Sequence, residues 1–319
     1  MHATGAFDCS PLPRVRTLVW QAILRNWLQQ QAKAKIYESV ADAQRKQGGG
    51  EGPAAPPAPC DVGLVFALGI EQGGLEDLLA DVVVTQGTDF TARQGSLKGR
   101  NVVLIEAGMG PLAAARGTQA LLAGHRPAWV ISAGFSGALD PRLKRGDIIM
   151  ADGITDGEGN RLSIDFKISP EATAATRGLH VGRLLTVDRI VRLPEEKRAL
   201  GQQHEALAVD MESWAVGEVC RQAKTRFMAV RIVSDAVDDE LPADIERLAA
   251  QKTNAARLGA AAGAIFRRPS SLKDMLKLKE DALVAGDKLA KFLSGVIVQL
   301  VEVGSRKAEG GEDGERAAP

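Results

Sequence analysis

The sequence predicts an α/β fold: a three-layer α/β/α sandwich around a central mixed, mainly parallel sheet, with amphipathic helices appended at both ends. Three observations carry this. Short β-rich apolar runs with little alternation recur through residues 61–268, the pattern of strands covered on both faces. Helix-period patterns separate them. Small-residue turns stand where strands end, as layered α/β units require.

Taken in order, the strands are VGLVFA (62–67), NVVLIEA (101–107), AWVISAG (128–134), GDIIMA (146–151), HVGRLLTV (180–187) and FMAVRIVSD (227–235). Helical patterns fall at about 111–123, 194–204, 212–223 and 241–266. An N-terminal amphipathic helix occupies residues 1–47, where Trp20, Ile23, Leu24, Trp27 and Leu28 share one face. A Gly/Pro linker follows at 48–60. After the central domain (61–268), Leu272, Met275, Leu276, Leu289, Leu293 and Leu300 mark a helix or helix pair over 269–303. The Gly/Glu/Arg-rich tail, 304–319, has the composition of a disordered segment.

Composition removes several function classes. Lys plus Arg equals Asp plus Glu at 40 each, so no global field draws nucleic acid. Cys9, Cys60 and Cys220 are odd in number and far apart. With four scattered histidines they give neither a disulfide framework nor a zinc spacing, and they suit a reducing cytoplasm. No apolar run approaches the roughly 20 residues of a membrane span, and the N-terminus lacks a secretory signal core.

Five stretches stand out as chemistry. GMGPLA (108–113) matches G-x-G-x-x-A, but the next strand ends in ISAGFSG without the acid a dinucleotide site wants about 20 residues on. SAGFSGAL (132–139) is either a turn that needs glycine or a ligand site at a strand end. Asp235, directly after a buried strand, has two uses: capping a following helix or general acid–base chemistry. Glu71, beyond the first strand, favours a helix N-terminus. VDMESWAV (209–216) sets Asp210 and Glu212 around Met211 among core-like residues, and carboxylates are rarely buried unless paired.

In this order, GLVFALGIE, EAGMGPLAAA, SAGFSGALDPRLKRGDII, VDMESWAV and VRIVSDAVD resemble the nucleoside phosphorylase and nucleosidase superfamily. Within it they are closest to the methylthioadenosine/S-adenosylhomocysteine nucleosidases, over residues 62–266. The resemblance implies an N-ribosyl hydrolase that frees adenine from a 5′-modified adenosine, without metal or organic cofactor, as a homodimer. It implies that Glu212 holds the ribose 2′- and 3′-hydroxyls, which suits a carboxylate's two acceptor oxygens, and that Met211 packs on ribose or base. Asp235 becomes the group that protonates purine N7, helped by desolvation at a buried strand end. Glu71 becomes the base that orients the attacking water, and Arg231 helps hold it. Backbone groups near Ile190 and Val191 face the purine, and Gly134, Phe135, Ser136 and Gly137 line the substrate.

Two departures qualify this. Bacterial hexameric purine phosphorylases carry a phosphate-gripping arginine where this chain has Ser132, so water is favoured over phosphate as nucleophile. Between residues 147 and 182 the chain is shorter than in the resembled nucleosidases and lacks their aromatics near the 5′ substituent, and Phe135 stands where they usually have serine. A purine nucleoside phosphorylase, an adenosyl-lipid nucleosidase of the hopanoid type and a non-catalytic nucleoside binder therefore stay open. The tryptophans and basic residues of the N-terminal helix allow contact with a membrane surface, against the plainer reading that the helix packs on the protein.

Overall fold

A computed structural model describes residues 59–164, 166, 168–242 and 270–309, with side chains described over 281–300 in the last stretch. The expected N-terminal helix, most of the linker, the helix expected at about 241–266 and the end of the tail lie outside the described residues.

The strands are β1 (Val62–Phe66), β2 (Ala80–Gln86), β3 (Thr91–Leu97), β4 (Arg100–Glu106), β5 (Trp129–Ala138), β6 (Ile148–Asp156), β7 (Arg161–Ser163), β8 (Leu179–Thr186), β9 (Ala208–Asp210) and β10 (Arg226–Asp235). The helices are α1 (Gly69–Glu76), α2 (Pro111–His125), α3 (Pro170–Ala175), α4 (Pro194–His204), α5 (Ser213–Gln222) and α6 (Ser270–Glu309). One mixed sheet runs β10-β6-β8-β9-β5-β1-β4-β3-β2, with β7 on β6. Because β10 also pairs with β5, strands β5, β10, β6, β8 and β9 close into a ring. The centre, β4-β1-β5-β10, is parallel. The β2-β3-β4 meander is antiparallel, as are the β6–β10 and β5–β9 pairings. All six expected strands are present, and β5 runs on through the SAGFSGA turn. Strands β2, β3, β7 and β9 and helices α1 and α3 are additions to the sequence reading.

The layers follow from alternation along β1. Val62, Leu64 and Phe66 join one cluster with Leu75 of α1 and Leu289, Leu293 and Ile297 of α6. Val65 faces the other way, into a cluster with Leu121 of α2 and Val216 and Cys220 of α5. A β-carbon at Gly63 would sit 2.5 Å from a Leu121 methyl, so glycine lets α2 settle onto the strand. On α6, Ala285, Leu289, Leu293, Ile297 and Leu300 are buried at helical spacing. The helix continues through Gly304, where the tail was expected to start. Its contact with α1 is close: a β-carbon at Gly286 would lie 2.8 Å from the Ile70 carbonyl oxygen, and one at Gly74 3.1 Å from the Asp287 Cα. Each fully buried leucine there contributes about 1.5–3 kcal/mol. The C-terminal helix thus seats α1, and α1 carries Glu71.

Candidate active site

The carboxyl ends of β1, β4, β5 and β10 open on one edge of the parallel core, the place where ligands gather in such sheets. Glu71 lies just past β1. In the first turn of α1 its side chain folds back to accept the Ala67 and Leu68 N–H groups on Oε2 at 3.0 and 2.8 Å. Its Oε1 accepts the Phe135 N–H from β5 at 2.8 Å. The helix-start reading is therefore realised, and the second carboxylate oxygen ties α1 to β5. Burial pushes the Glu71 carboxyl upward, opposed by the Phe135 N–H and the charge of Arg231.

Arg231 comes from β10 and is 1% exposed. Its Nε donates to Asp210 Oδ2 at 2.7 Å, and its Nη2 donates to Ser132 Oγ at 2.8 Å and Ser213 Oγ at 3.0 Å. Burial pulls Arg231 down, but Asp210, Glu212 and Glu71 together hold it above its ordinary range. These bonds lie along the back of the site, so Arg231 acts on Glu71 by charge. Gly134, registered opposite Arg231, is what admits the pair: a β-carbon there would stand 2.5 Å from Arg231 Nη1 and 2.7 Å from Glu71 Oε1.

Glu212 follows β9 and precedes α5. Its Oε1 accepts the Gly110 N–H at 2.8 Å, reaching the start of α2. Gly110 has φ of 88°, a left-handed conformation that glycine supplies without strain. The GMGPLA turn thus serves a carboxylate. Glu212 is pushed up to about 7, by burial first and then by the negative charges of Asp210 and Glu71, against Arg231 and the Gly110 N–H. Asp210 is anchored further by Thr186, whose Oγ1 donates to Oδ1 at 2.6 Å. Met211, between the two acids, is half-buried.

Asp235 ends β10 opposite Gly137, one bulge beyond the Val233–Ser136 pair. A β-carbon at Gly137 would meet its Oδ2 at 3.1 Å. Gly137 is three steps along β5 from Gly134, a span of about 10 Å, with Glu71 against one end and Asp235 against the other. Between them Phe135 is half-buried and its N–H is taken by Glu71, while Ser136 is buried with its Oγ 3.5 Å from the Ile232 carbonyl. The expected desolvation of Asp235 is only half the picture. The side chain is buried, but Lys197 Nζ of α4 lies 2.5 Å from Oδ2, and Ser234 Oγ donates to Oδ1 at 2.7 Å. The Ala236 N–H goes to Asp239 rather than to Asp235.

Ile190 and Val191 sit in the loop between β8 and α4. Val191 joins a core cluster with Leu139, Leu185 and Val209, and Ile190 is half-buried. Cys60 and Cys220 are buried free thiols pushed to about 12, chiefly by burial, and so are protonated at neutral pH. Among the described residues no three His, Cys, Asp or Glu side chains are placed to hold a metal ion, and no helix is long and apolar enough to cross a membrane.

Sequence reasoning assigned no site role to Asp210, Ser213, Thr186, Gly110 or Lys197. Asp210 had a signal. It ends the apolar run ALAV two residues before Glu212, and a carboxylate there needs a partner if buried. Lys197 had none, since one lysine in PEEKRALG looks like a solvated helix face.

A family model described as the phosphorylase superfamily matches residues 61–267. The 5′-methylthioadenosine/S-adenosylhomocysteine nucleosidase of Tolumonas auensis is 26% identical over 207 residues, 58% of this chain and 90% of that one. The fold is similar to the corresponding nucleosidase of Neisseria meningitidis, solved with methylthio-immucillin-A. There the identity is 22%, the TM-score 0.56, and the match covers 74% of this chain and 99% of the other. It is also similar to the Helicobacter pylori nucleosidase solved with butyl-thio-DADMe-Immucillin-A, at 16% identity and TM-score 0.57 over 76% of this chain and 98% of the other.

Proposed function

Because this chain belongs to the phosphorylase superfamily, we propose that it is a nucleosidase, an N-ribosyl hydrolase that frees adenine from a 5′-modified adenosine such as methylthioadenosine or S-adenosylhomocysteine. One observation carries the reading. Glu71, Glu212 and Arg231 form a single buried cluster at the strand tips, and Asp235 stands three residues of β5 further along.

In this reading the ribose lies over Met211 with its 2′- and 3′-hydroxyls on the Glu212 carboxylate, while backbone near Ile190 and Val191 and residues 134–137 of β5 flank the base. As the C1′–N9 bond breaks, its electron pair moves onto the purine and positive charge grows at the sugar. Asp210, Glu212 and Glu71 surround that charge with three carboxyl groups against the one guanidinium of Arg231, so the cationic sugar is what the cluster lacks. Water adds to C1′ and gives a proton to Glu71. Asp235 gives its proton to N7, so the base leaves neutral.

Water is favoured over phosphate by what surrounds Ser132. That side chain is buried, and its hydroxyl is taken by Arg231, which is itself committed to Asp210. A phosphate dianion would meet three carboxyl groups against a single guanidinium. Adenine release from a panel of 5′-substituted adenosines, with and without phosphate, tests the proposal. Release without phosphate supports it; a strict need for phosphate with ribose-1-phosphate as product replaces it with a phosphorylase, and preference for an adenosyl-lipid names the hopanoid-type substrate. Binding without turnover by this chain, unchanged by Glu71→Gln, makes it a non-catalytic binder. A homodimer in a reducing cytoplasm belongs to the same reading, and sedimentation of the full chain checks the first part.

A further inference from the structure

The nucleosidase mechanism leaves one buried charge unused. Lys197 lies on α4 with its side chain 0% exposed. Its ammonium has three N–H donors and three acceptors in reach: Asp235 Oδ2 at 2.5 Å, the Asp239 carbonyl at 2.7 Å and the Ala236 carbonyl at 3.0 Å. With every donor engaged, the group has no proton left over for a substrate. What it governs is the one side chain it touches.

We propose that Lys197 is a positioning residue for the proton donor: it locks Oδ2 of Asp235 and leaves Oδ1 as the oxygen that serves the departing base. The inference rests on the nucleosidase reading above. Oδ2, fixed by the ammonium, is also the oxygen against Gly137, so the carboxyl plane is set from both sides. Oδ1 is shared with a hydroxyl that has two places to donate. Ser234 Oγ lies 2.7 Å from Oδ1 and 3.1 Å from the Ser136 carbonyl. When Oδ1 carries the proton, Ser234 turns its O–H to the carbonyl, and the Oδ1–H is released to face N7. In the step itself the Oδ1–H bond breaks, the N7–H bond forms, and the C1′–N9 electron pair goes to the base. The negative charge left on Asp235 then stands beside a fixed ammonium, so Lys197 stabilises the reaction after proton transfer more than before it. Nearby, Arg145 is held by Asp239 at 2.7 Å and Asp239 also takes the Ala236 N–H, so this second charge pair clamps the loop whose carbonyls hold Lys197.

The test compares Lys197→Met, Asp235→Asn and the double variant in the full chain, on a cleaved 5′-substituted adenosine and on the matching 4-nitrophenyl riboside, whose leaving group needs no proton. If Lys197 acts through Asp235, Lys197→Met lowers kcat for the adenosine by about 100-fold or more, the size of a general-acid effect. It leaves KM and nitrophenyl release within about threefold, and adds nothing in the Asp235→Asn background. Equal losses on both substrates, or full additivity in the double variant, would mean a merely structural lysine and overturn the proposal. Lys197→Gln gives the same comparison if the methionine variant does not fold. If the unaltered chain releases base from no nucleoside, the nucleosidase reading has failed; if it does so and Lys197→Met is unimpaired, the positioning role alone has failed.

Discussion

Two buried carboxylate–cation groups lie at opposite ends of the same strand segment, and they are balanced differently. At Gly134, Asp210, Glu212 and Glu71 share the one guanidinium of Arg231. At Gly137, Asp235 has the whole ammonium of Lys197. The first group is short of positive charge, so burial and mutual repulsion push Glu71 and Glu212 upward. The second is matched. In the proposed nucleosidase the contrast would give them different work: a carboxylate-rich end for a cationic sugar, and a neutralised end that hands over a proton and keeps the charge it leaves behind.

The sharpest way to break the contrast is to remove the proton donor. Asp235→Asn should cut adenine release by about 100-fold or more while leaving nucleoside binding measurable by calorimetry. Glu71→Gln should cost a similar factor but leave nitrophenyl riboside cleavage equally slow, since water activation serves every leaving group. Next in size is Arg231→Met. It strands three carboxyl groups in the interior, and chemical denaturation should show a loss of about 3–5 kcal/mol. Arg231→Lys should recover little, because an ammonium cannot reach Asp210, Ser132 and Ser213 in the same fork.

A smaller change sharpens the comparison by touching only one end. Gly134→Ala puts a methyl group against Arg231 Nη1 and Glu71 Oε1; overpacking of this kind costs about 1–3 kcal/mol, and catalysis should fall by more than stability alone explains. The smallest effect is in pH. Burial holds the Glu212 carboxyl up at about 7, above its ordinary 4.5, so between those values the folded state binds more protons. Its contribution to stability therefore declines as pH rises from 4.5 to about 7, and Glu212→Gln should remove that slope. Substrate affinity should run the other way, weakening as pH falls below about 7 and the carboxylate loses an acceptor. Asp210, Glu71 and Arg231 face the same group and set the size of both effects.

Most of the electron-rich end was legible in the sequence. Glu71 and Glu212 each follow an apolar run that stops at small or acidic residues, and the SAGFSG glycines drew attention even though β5 runs on through them to Ala138. The matched end was half legible: Asp235 ends such a run, but its partner does not. Lys197 sits among Glu195, Glu196 and Arg198 on a helix with few apolar positions, and only the fold shows that its neighbours are exposed or half-buried while it is sealed. Strand β3 escaped for a related reason. TARQGSL is mostly polar because the strand is only half-buried, so neither continuity nor alternation of apolar residues gives it away. The β2 strand ADVVVTQ, exposed at the sheet edge, needs its partner to be recognised at all.

The central claim is that three acids distant in the chain meet one nucleoside. A crystal structure of the Asp235→Asn variant with methylthioadenosine tests it most directly. The expected result has the ribose 2′- and 3′-hydroxyls on Glu212, a water between Glu71 and C1′, and the purine N7 edge at residue 235. A nucleoside bound elsewhere, or one that reaches Glu212 with its base turned away from residue 235, would contradict it.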